Sequence, residues 1–262
     1  MSSATGNIHP TAIVAEGAQL AADVRVGPYS VIGPEVSVGP GSTIASHVVI
    51  ARRTTIGRGN RIFQFASIGD IPQDRKYGGE PTATEIGDGN VIREFVTIHA
   101  GTEQDRGKTT IGHRNLLLAY SHVAHDCAVG DDTTFSNNAQ LAGHVVVGDY
   151  AVLGGFVGVH QFCRIGAHAM VAAGSIVLQD VPPFVTAAGY PAKPRGSNIE
   201  GLRRRGFSPD EIAAVRRAYK TLYRKALALE DARAAIAADA KTSPALNPLV
   251  AFLETPGRGI IR

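Results

Sequence analysis

The chain repeats a pattern of six residues in which one position is almost always Val, Ile or Leu. The register holds without a break for eleven repeats, resumes for three, and then runs for twelve more, which makes 26 hexads. A period of six matches neither the 3.6-residue helix nor a free-standing alternating strand, but it fits short strands joined by tight, glycine-permitted corners. With three strands to a turn, the pattern predicts a triangular β-solenoid. The apolar positions run from Ile8 to Ile68, from Ile86 to Ile98 and from Ile111 to Val177.

Stacking of these hexads accounts for the unusual composition. Three hexads make a coil of 18 residues, so the chain provides between eight and nine coils. At about 4.8 Å per coil the column is roughly 40 Å tall. A file of aliphatic side chains inside it explains how a chain with no Trp and 30 Gly buries a continuous core. The pattern alone leaves the handedness of the column open.

Two stretches break the register and are predicted to leave the column as loops. Residues 72–84, PQDRKYGGEPTAT, put Asp74 and Glu80 where core residues should stand. Residues 101–109, GTEQDRGKT, shift the register by one. Loops on a rigid scaffold often carry function, although insertions tolerated at the surface are an equally ordinary explanation.

The repeat ends after Val177, and the sequence then turns helical. We expect residues 1–190 to form the solenoid and residues 191–262 a C-terminal α-helical domain that covers the open edge of the last coil. Ser208, Pro209 and Glu211 form a capping-box pattern that opens a helix. Further helices are predicted over 229–240 and 244–254.

Composition and charge exclude several classes of protein. The chain lacks an apolar run of the roughly 20 residues that span a bilayer, and its start lacks the pattern of a signal peptide, so we expect a cytoplasmic protein. Cys127 and Cys163 occupy small interior positions two coils apart, which predicts inert thiols rather than a disulfide. The net charge of +3 is modest, and it does not favour a nucleic-acid partner.

The period of 18 also predicts which polar residues stack. His125 lies one coil below Gly143 and two below Gln161, and Asp126 lies one coil below His144. With His160 beside them, these residues should form one patch, which we interpret as a candidate site. A zinc site built from His99, His122 and His125 is the alternative, but nothing in the spacing of these histidines singles them out.

The hexad array resembles a known family once its motifs are taken in order. QDRKY, AHDC, LAGHV, GVHQF, NIEGLRRRGFS and the ending RGIIR are similar to those of the UDP-N-acetylglucosamine O-acyltransferases of lipid A biosynthesis, over nearly the whole chain. The resemblance implies a left-handed β-helix and a homotrimer with active sites between subunits. It implies transfer of a 3-hydroxyacyl chain from acyl carrier protein to the 3-hydroxyl of UDP-N-acetylglucosamine, with the carrier's phosphopantetheine thioester as donor and no metal or other cofactor.

Roles for individual residues follow from the same resemblance. His125 would be the general base, Asp126 its orienting carboxylate and the N–H of Gly143 the oxyanion donor. Ala173 would influence acyl length, with alanine favouring a long or relaxed choice. Substrate contacts are implied for Gln73, Asp74, Lys76, His122, His144, His160, Gln161, Asn198, Glu200, Arg204 and Arg205. The predicted helix also carries a basic face, which is either an ordinary solvated surface or one that steers an acidic carrier protein. We favour the second for Arg216, Arg217, Lys220 and Arg224.

Three other functions share parts of this pattern. The N-acyltransferase that acts later in the same pathway carries a uridine-binding domain before its β-helix, and we expect none here because the hexads begin at Ile8. A carbonic anhydrase-like solenoid would bind zinc stoichiometrically. A purely structural solenoid would have no catalytic base.

Overall fold

The structure is a computed structural model that describes residues 7–255 and 257–262. Residues 1–6 of the predicted solenoid segment, and Pro256, lie outside the described residues.

Short strands, three to a coil, build most of the molecule. Neighbouring strands are parallel except in a final hairpin, and side chains at the hexad positions point into the column. In chain order the strands are β1 (Ile13–Val14), β2 (Gln19–Leu20), β3 (Arg25–Val26), β4 (Val31–Ile32), β5 (Ser37–Val38), β6 (Thr43–Ile44), β7 (Val49–Ile50), β8 (Thr54–Ile56), β9 (Arg61–Ile62), β10 (Ser67–Asp70), β11 (Ala83–Ile86), β12 (Val91–Ile92), β13 (Thr97–His99), β14 (Lys108–Ile111), β15 (Leu116–Leu117), β16 (His122–Val123), β17 (Ala128–Val129), β18 (Thr134–Phe135), β19 (Gln140–Leu141), β20 (Val146–Val147), β21 (Val152–Leu153), β22 (Gly158–Val159), β23 (Arg164–Ile165), β24 (Met170–Val171), β25 (Ile176–Val177), β26 (Val185–Gly189) and β27 (Ala192–Ser197).

The strands form three flat sheets, one on each side of a triangular column. The first sheet has the order β1-β4-β7-β10-β13-β16-β19-β22-β25, the second β2-β5-β8-β11-β14-β17-β20-β23, and the third β27-β26-β24-β21-β18-β15-β12-β9-β6-β3. The predicted triangular solenoid is therefore confirmed. We call the corner between the first and second sheets the first corner, that between the second and third sheets the second corner, and the remaining one the third corner.

Strand pairing confirms both predicted loops. Paired residues lie 18 apart in most coils, as Val123 and Leu141 do. Thr84, however, pairs with Thr54, thirty residues earlier, and with Thr109, twenty-five residues later. The first loop therefore runs from 71 to 82, between β10 and β11, and the second from 100 to 107, between β13 and β14. The last residues of each predicted loop belong to the next strand.

Glycine supports the column in a different way from the one predicted. The sharp corner residues with positive φ are mostly not glycine, and Tyr120, Asp126 and His168 are examples at the three corners. The glycines that follow the apolar position instead allow adjacent coils to approach closely. A Cβ on Gly39 would lie 2.7 Å from the carbonyl carbon of Gly57 in the next coil. Coil spacing, rather than corner geometry, thus requires glycine there.

Interior side chains form the predicted aliphatic file. Ile62, Ile92 and Leu117 are almost fully buried and follow one another up the third sheet. Cys127 and Cys163 are both buried and free. Burial raises the pKa of the Cys127 thiol to about 12 and that of Cys163 to about 11, so both remain protonated and unreactive.

The column ends in a hairpin and a group of helices. β27 pairs with β26 in antiparallel register, so the third sheet continues to Ser197, beyond the predicted division after residue 190. Pro194 is tolerated because β27 is an edge strand. The helices are α1 (Ile199–Arg204), α2 (Pro209–Tyr223), α3 (Leu229–Ala240) and α4 (Asn247–Glu254), with a 3₁₀ turn over Pro244–Leu246.

Helix α2 begins and packs as its sequence predicts. Ser208 and Glu211 make both hydrogen bonds of the capping box. Ile212, Val215 and Leu222 are buried in a second apolar cluster, which also contains residues of α3 and α4. Across the described residues, no helix is both long and apolar enough to cross a membrane.

We expect Gly39→Ala to destabilise the column, because the added methyl group would lie against backbone atoms of the next coil. The free energy of unfolding should fall by about 1–3 kcal/mol. Gly196→Ala is the matched control, since a Cβ there meets nothing within 4 Å. Thermal unfolding followed by circular dichroism measures both variants, and an equal Tm for the two would contradict this account of the glycines.

Candidate active site

A groove runs along the first sheet in the upper half of the column. Its volume is about 450 Å³, and it collects predicted site residues from three successive coils and from the first loop. Its polar lining includes Gln73, His122, His125, Gly143, His160 and Gln161, and its apolar lining includes Leu141, Gly158, Val159, Ile176 and Leu178. The predicted stacking of His125, Gly143 and Gln161 is therefore observed.

A buried imidazole–carboxylate pair lies at the edge of this groove. His125 Nδ1 is 2.9 Å from Asp126 Oδ2, and the two residues are 5% and 0% exposed. Asp126 occupies the first corner with φ 58°, a left-handed conformation that aspartate accepts better than most residues. Because Nδ1 faces a carboxylate, it carries the proton in the neutral ring, which leaves Nε2 as an acceptor.

Gly143 lies directly above this imidazole. A Cβ at position 143 would be 2.6 Å from Nε2 of His125, so any side chain there would displace the ring. The N–H groups of Ala142 and His144 donate to carbonyl oxygens of neighbouring coils, whereas that of Gly143 has no acceptor within the described part of the chain. The corner thus presents an unpaired backbone donor beside the free nitrogen of His125.

Thr102 of the second loop holds the far side of the Asp126 carboxylate. The Thr102 N–H lies 3.0 Å from both carboxylate oxygens, and Oγ1 donates to Oδ2 at 2.6 Å. Burial by itself would raise the pKa of the Asp126 carboxyl. Hydrogen bonds from His125 and Thr102 outweigh burial and lower the pKa, so Asp126 is ionised at neutral pH.

The same loop also reaches His144. Asp105 Oδ2 lies 2.7 Å from Nδ1 of His144. The ring of His144 stacks on Phe162 with centroids 4.3 Å apart and stands perpendicular to the ring of His125. His144 therefore forms the outer wall beside His125 rather than part of the groove lining.

Two further histidines lie near His125 on the first sheet: His122 on β16 in the same coil, and His99 on β13 in the coil below. Nδ1 of His122 is 2.7 Å from Oγ1 of Thr97, and its ring meets His99 edge-on. Burial, followed by the neighbouring His99 and His125, lowers the pKa of His122 to about 4. Burial also lowers the pKa of His99. His122 is therefore neutral at the pH of the cell, and its ring can offer a hydrogen bond without adding charge.

Three residues place ligand atoms close enough to share a metal ion, but they are not the three histidines of the alternative zinc site. Among the described residues, ligand atoms of His125, Asp126 and His144 lie within 4.8 Å of one another. Asp126 is fully buried, and its oxygens already accept hydrogen bonds from His125 and Thr102. The Asp126 carboxylate is therefore engaged in hydrogen bonds rather than free to bind an ion, which disfavours this set as a metal site.

Other predicted contacts lie around the groove. Asp74 and Lys76 belong to the first loop, where Oδ1 of Asp74 accepts from the Lys76 N–H at 3.0 Å, but neither residue lines the groove. Ala173 is exposed at the third corner and is likewise outside the lining, three residues before Ile176. Its predicted influence on acyl length stays a prediction.

The predicted contacts near the C-terminus lie away from the groove of their own chain. Asn198 caps α1 and donates to the carbonyl oxygen of His168 at the second corner. The guanidinium of Arg205 lies over the ring of Tyr150, 4.9 Å from its centroid, at the same corner. The second sheet separates this corner from the first corner, where His125 lies. Exposed Glu200 and Arg204 form an ion pair at 3.3 Å.

Helix α2 presents the predicted basic face to solvent. Four exposed side chains on α2 and at its C-cap form no ion pair with any described acidic residue: Arg216, Arg217, Lys220 and Arg224.

Three residues that hold the histidines and Asp126 were not predicted: Thr97, Thr102 and Asp105. The only signal was the break in register over 101–109, which indicated a loop but not its direction.

A triangular β-helix of hexapeptide repeats, with an oriented imidazole and an unpaired backbone N–H beside an open apolar groove, defines a hexapeptide-repeat acyltransferase. The family model described as "Bacterial transferase hexapeptide (six repeats)" matches residues 17–52. The model described as "Udp N-acetylglucosamine O-acyltransferase; Domain 2" matches residues 180–261.

Individual proteins match over almost the whole chain. The acyl-[acyl-carrier-protein]–UDP-N-acetylglucosamine O-acyltransferase of Thiobacillus denitrificans is 59% identical, covering 97% of this chain and 99% of the relative. That of Herminiimonas arsenicoxydans is 60% identical with the same coverage. The crystal structure of UDP-N-acetylglucosamine O-acyltransferase (LpxA) from Moraxella catarrhalis matches with a TM-score of 0.96 and 45% identity, covering 98% of this chain and 100% of that one. This chain belongs to the UDP-N-acetylglucosamine O-acyltransferase family, and its column is a left-handed β-helix.

Proposed function

We propose that this protein transfers a 3-hydroxyacyl chain from acyl carrier protein to the 3-hydroxyl of UDP-N-acetylglucosamine, the first step of lipid A biosynthesis, in the cytoplasm. The observation that carries the proposal is the buried His125–Asp126 pair beside Gly143 in the groove. The curated relatives are named for an acyl carrier protein and UDP-N-acetylglucosamine, which supports both substrates. Their match over 97% of the chain disfavours the later N-acyltransferase and a carbonic anhydrase-like enzyme.

His125 acts as the general base. Its Nδ1–H donates to ionised Asp126, so Nε2 takes the proton of the sugar hydroxyl as that oxygen attacks the thioester carbonyl carbon. Asp126 stabilises the imidazolium that forms. The new C–O bond replaces the C–S bond, and the departing thiolate takes the proton back from the imidazolium. The transfer is direct, with neither a covalent intermediate nor a metal ion, and the protonated, buried Cys127 takes no part.

Gly143 stabilises the developing oxyanion. Its N–H has no other partner among the residues described, and it lies next to the free nitrogen of His125. Removing such a donor costs about 2.7–4 kcal/mol of transition-state stabilisation in a comparable enzyme. Because the donor belongs to the backbone of a rigid corner, it needs no reorganisation during the reaction.

The apolar part of the groove receives the acyl chain. Gly158 has no side chain at an outward strand position between Gln140 and Ile176, and the Ile176 side chain lies over it, so the groove is apolar here. Ala173, at the third corner beside the same coils, favours a long or relaxed choice of chain length. The carrier's phosphopantetheine supplies the thioester, and the reaction needs no other cofactor.

The active enzyme is a homotrimer with sites between neighbours. An exposed ladder of stacked rings follows the third corner through Tyr29, His47, Phe65, Phe95 and Tyr120. Exposed Ile13, Val31 and Val49 lie on the adjoining first sheet. Such a continuous apolar strip favours burial against another copy of the chain.

A neighbouring subunit would complete the nucleotide site. Gln73, Asp74, Lys76, His122, His144, His160 and Gln161 of one subunit would contact the substrate together with Asn198, Glu200, Arg204 and Arg205 of the next. Two arginines suit a diphosphate, because each guanidinium donates paired hydrogen bonds to phosphate oxygens.

The basic face of α2 guides the carrier protein. Arg216, Arg217, Lys220 and Arg224 are exposed without acidic partners in the described residues, so they present a positive surface to an acidic protein. Complementary charge raises the rate of encounter more than it adds to affinity.

His125→Ala should lower the rate of acyl transfer by roughly 10²–10⁴-fold, because it removes the base. The assay uses purified protein, 3-hydroxyacyl carrier protein and UDP-N-acetylglucosamine, with and without a chelator. His9→Ala, which changes a histidine of the first coil, should keep wild-type activity. Transfer by His125→Ala at more than a tenth of the wild-type rate, with folding intact, would refute the base assignment.

Mixing two inactive variants tests the intersubunit site. Arg204→Glu removes the charge expected to bind the diphosphate, and His125→Ala removes the base. Co-refolded mixed trimers should recover roughly a quarter of wild-type activity, the statistical share of sites with both halves intact. A site contained within one chain predicts no recovery, because every chain then carries a lesion.

Replacing two charges on α2 tests the carrier surface. Arg216→Ala combined with Lys220→Ala should raise KM for the carrier protein about 3–10-fold and leave KM for the sugar nucleotide unchanged. The difference should shrink at high salt. Lys241→Ala, which removes an exposed charge beyond α3, is the control. An equal change in both KM values would argue against a carrier-specific surface.

A further inference from the structure

The second loop, residues 100–107, brings two side chains to the histidine cluster. This loop replaces a simple corner of the column. Residues that pair in adjacent coils across it are therefore 25 apart in sequence rather than 18. Thr102 reaches Asp126 and Asp105 reaches His144. Thr102 is 1% exposed, although it belongs to a loop whose residues 103–106 are exposed.

Thr102 provides most of the hydrogen bonds to the Asp126 carboxylate. Its N–H lies 3.0 Å from both oxygens, and its hydroxyl donates to Oδ2, which also accepts from His125. In the described residues, His125 is the only other hydrogen-bond donor to this carboxylate. Without Thr102, the hydrogen bond with His125 would be the one remaining described hydrogen bond that fixes the rotation of the carboxylate about its Cβ–Cγ bond.

We propose that Thr102 is a positioning residue for the catalytic pair: its hydroxyl and N–H fix the rotation of Asp126 so that one oxygen holds Nδ1–H of His125 and Nε2 stays directed at the groove. The inference rests on the proposed function, because it takes His125 as the base. It adds that the second loop supplies part of the catalytic geometry. The hydroxyl is the testable element, since it can be removed with almost no change of shape by Thr102→Val.

The hydroxyl should also influence how the pair binds a proton. A donor to the carboxylate stabilises its ionised form, so loss of the hydroxyl raises the proton affinity of the coupled His125–Asp126 pair. The base is then protonated at higher pH, and the acid limb of the kcat/KM profile moves to higher pH. The titratable groups around the pair are His99, with Asp70 beside it, His122, Cys127, His144, and Asp105 and Arg106 of the loop.

The experiment compares three variants in the full-length protein. Thr102→Val removes the hydroxyl, Thr102→Ser keeps it, and Thr133→Val is the matched control. Thr133 is also 1% exposed, and its hydroxyl donates to Oδ1 of Asn115 at 2.7 Å, outside the groove lining. Rates with 3-hydroxyacyl carrier protein are measured from pH 5 to 9, together with KM for both substrates and Tm.

We expect Thr102→Val to lower kcat roughly 10-fold, with both KM values unchanged, and to move the acid limb to higher pH. Thr102→Ser should restore both, and Thr133→Val should lower Tm without moving the limb. A wild-type profile in Thr102→Val, equal loss in Thr102→Ser, or the same shift in Thr133→Val would each overturn the proposal.

A second measurement keeps this inference separate from the proposed function. NMR of protein labelled at histidine Cε1, with the signal assigned by His125→Gln, follows protonation of the pair without turnover. The midpoint should move to higher pH in Thr102→Val alone. If wild-type protein transfers no acyl chain, the proposed function fails while the NMR titration still decides the role of Thr102.

Discussion

Backbone hydrogen bonding between successive coils is the interaction on which the rest of this structure depends. Each short strand has too few residues to form a stable sheet alone, and it becomes stable only by pairing with the coils below and above it. The fixed register brings one apolar side chain per strand into the column and forces adjacent backbones close together. Gly39 follows from this spacing, because the next coil leaves no room for a side chain. The same closeness brings Gly143 over the ring of His125.

The candidate site combines regular corners of the column with a loop that interrupts them. The corners place polar residues in left-handed conformations, and Asp126 holds His125 from one of them. Loops replace simple corners at two places in the lower and middle coils, and the second loop adds Thr102 to the same carboxylate. A rigid column therefore supplies the proposed base and the proposed oxyanion donor, while an irregular segment completes the hydrogen bonding of the carboxylate. This division would suit catalysis, since hydrogen-bonded coils hold the proposed reacting groups in place.

The sequence predicted those parts of the structure that obey a period. The hexads gave the column, the position of both loops and the meeting of His125 with Gly143 and Gln161, and the capping box marked the start of α2. Periodicity carries no information about the path of a loop, so the contact between Thr102 and Asp126 could not be foreseen. The hairpin of β26 and β27 escaped prediction because the hexads end at Val177 and Pro194 is unfavourable in an internal strand. An edge strand tolerates proline, but the sequence does not show that β27 lies at the edge of its sheet.

Electrostatics explains how one histidine can serve as base within a cluster of four. Burial holds His122 and His99 in their neutral forms, so neither opposes a positive charge on His125. Hydrogen bonds keep the Asp126 carboxylate ionised although it is completely buried. Its negative charge therefore lies directly against Nδ1 of His125. A proton taken from a hydroxyl in the groove is therefore best stabilised at His125. The neighbouring imidazoles can bind substrate as neutral groups. Burial and hydrogen bonding, rather than the identity of any single side chain, therefore determine which histidine of the cluster accepts the proton.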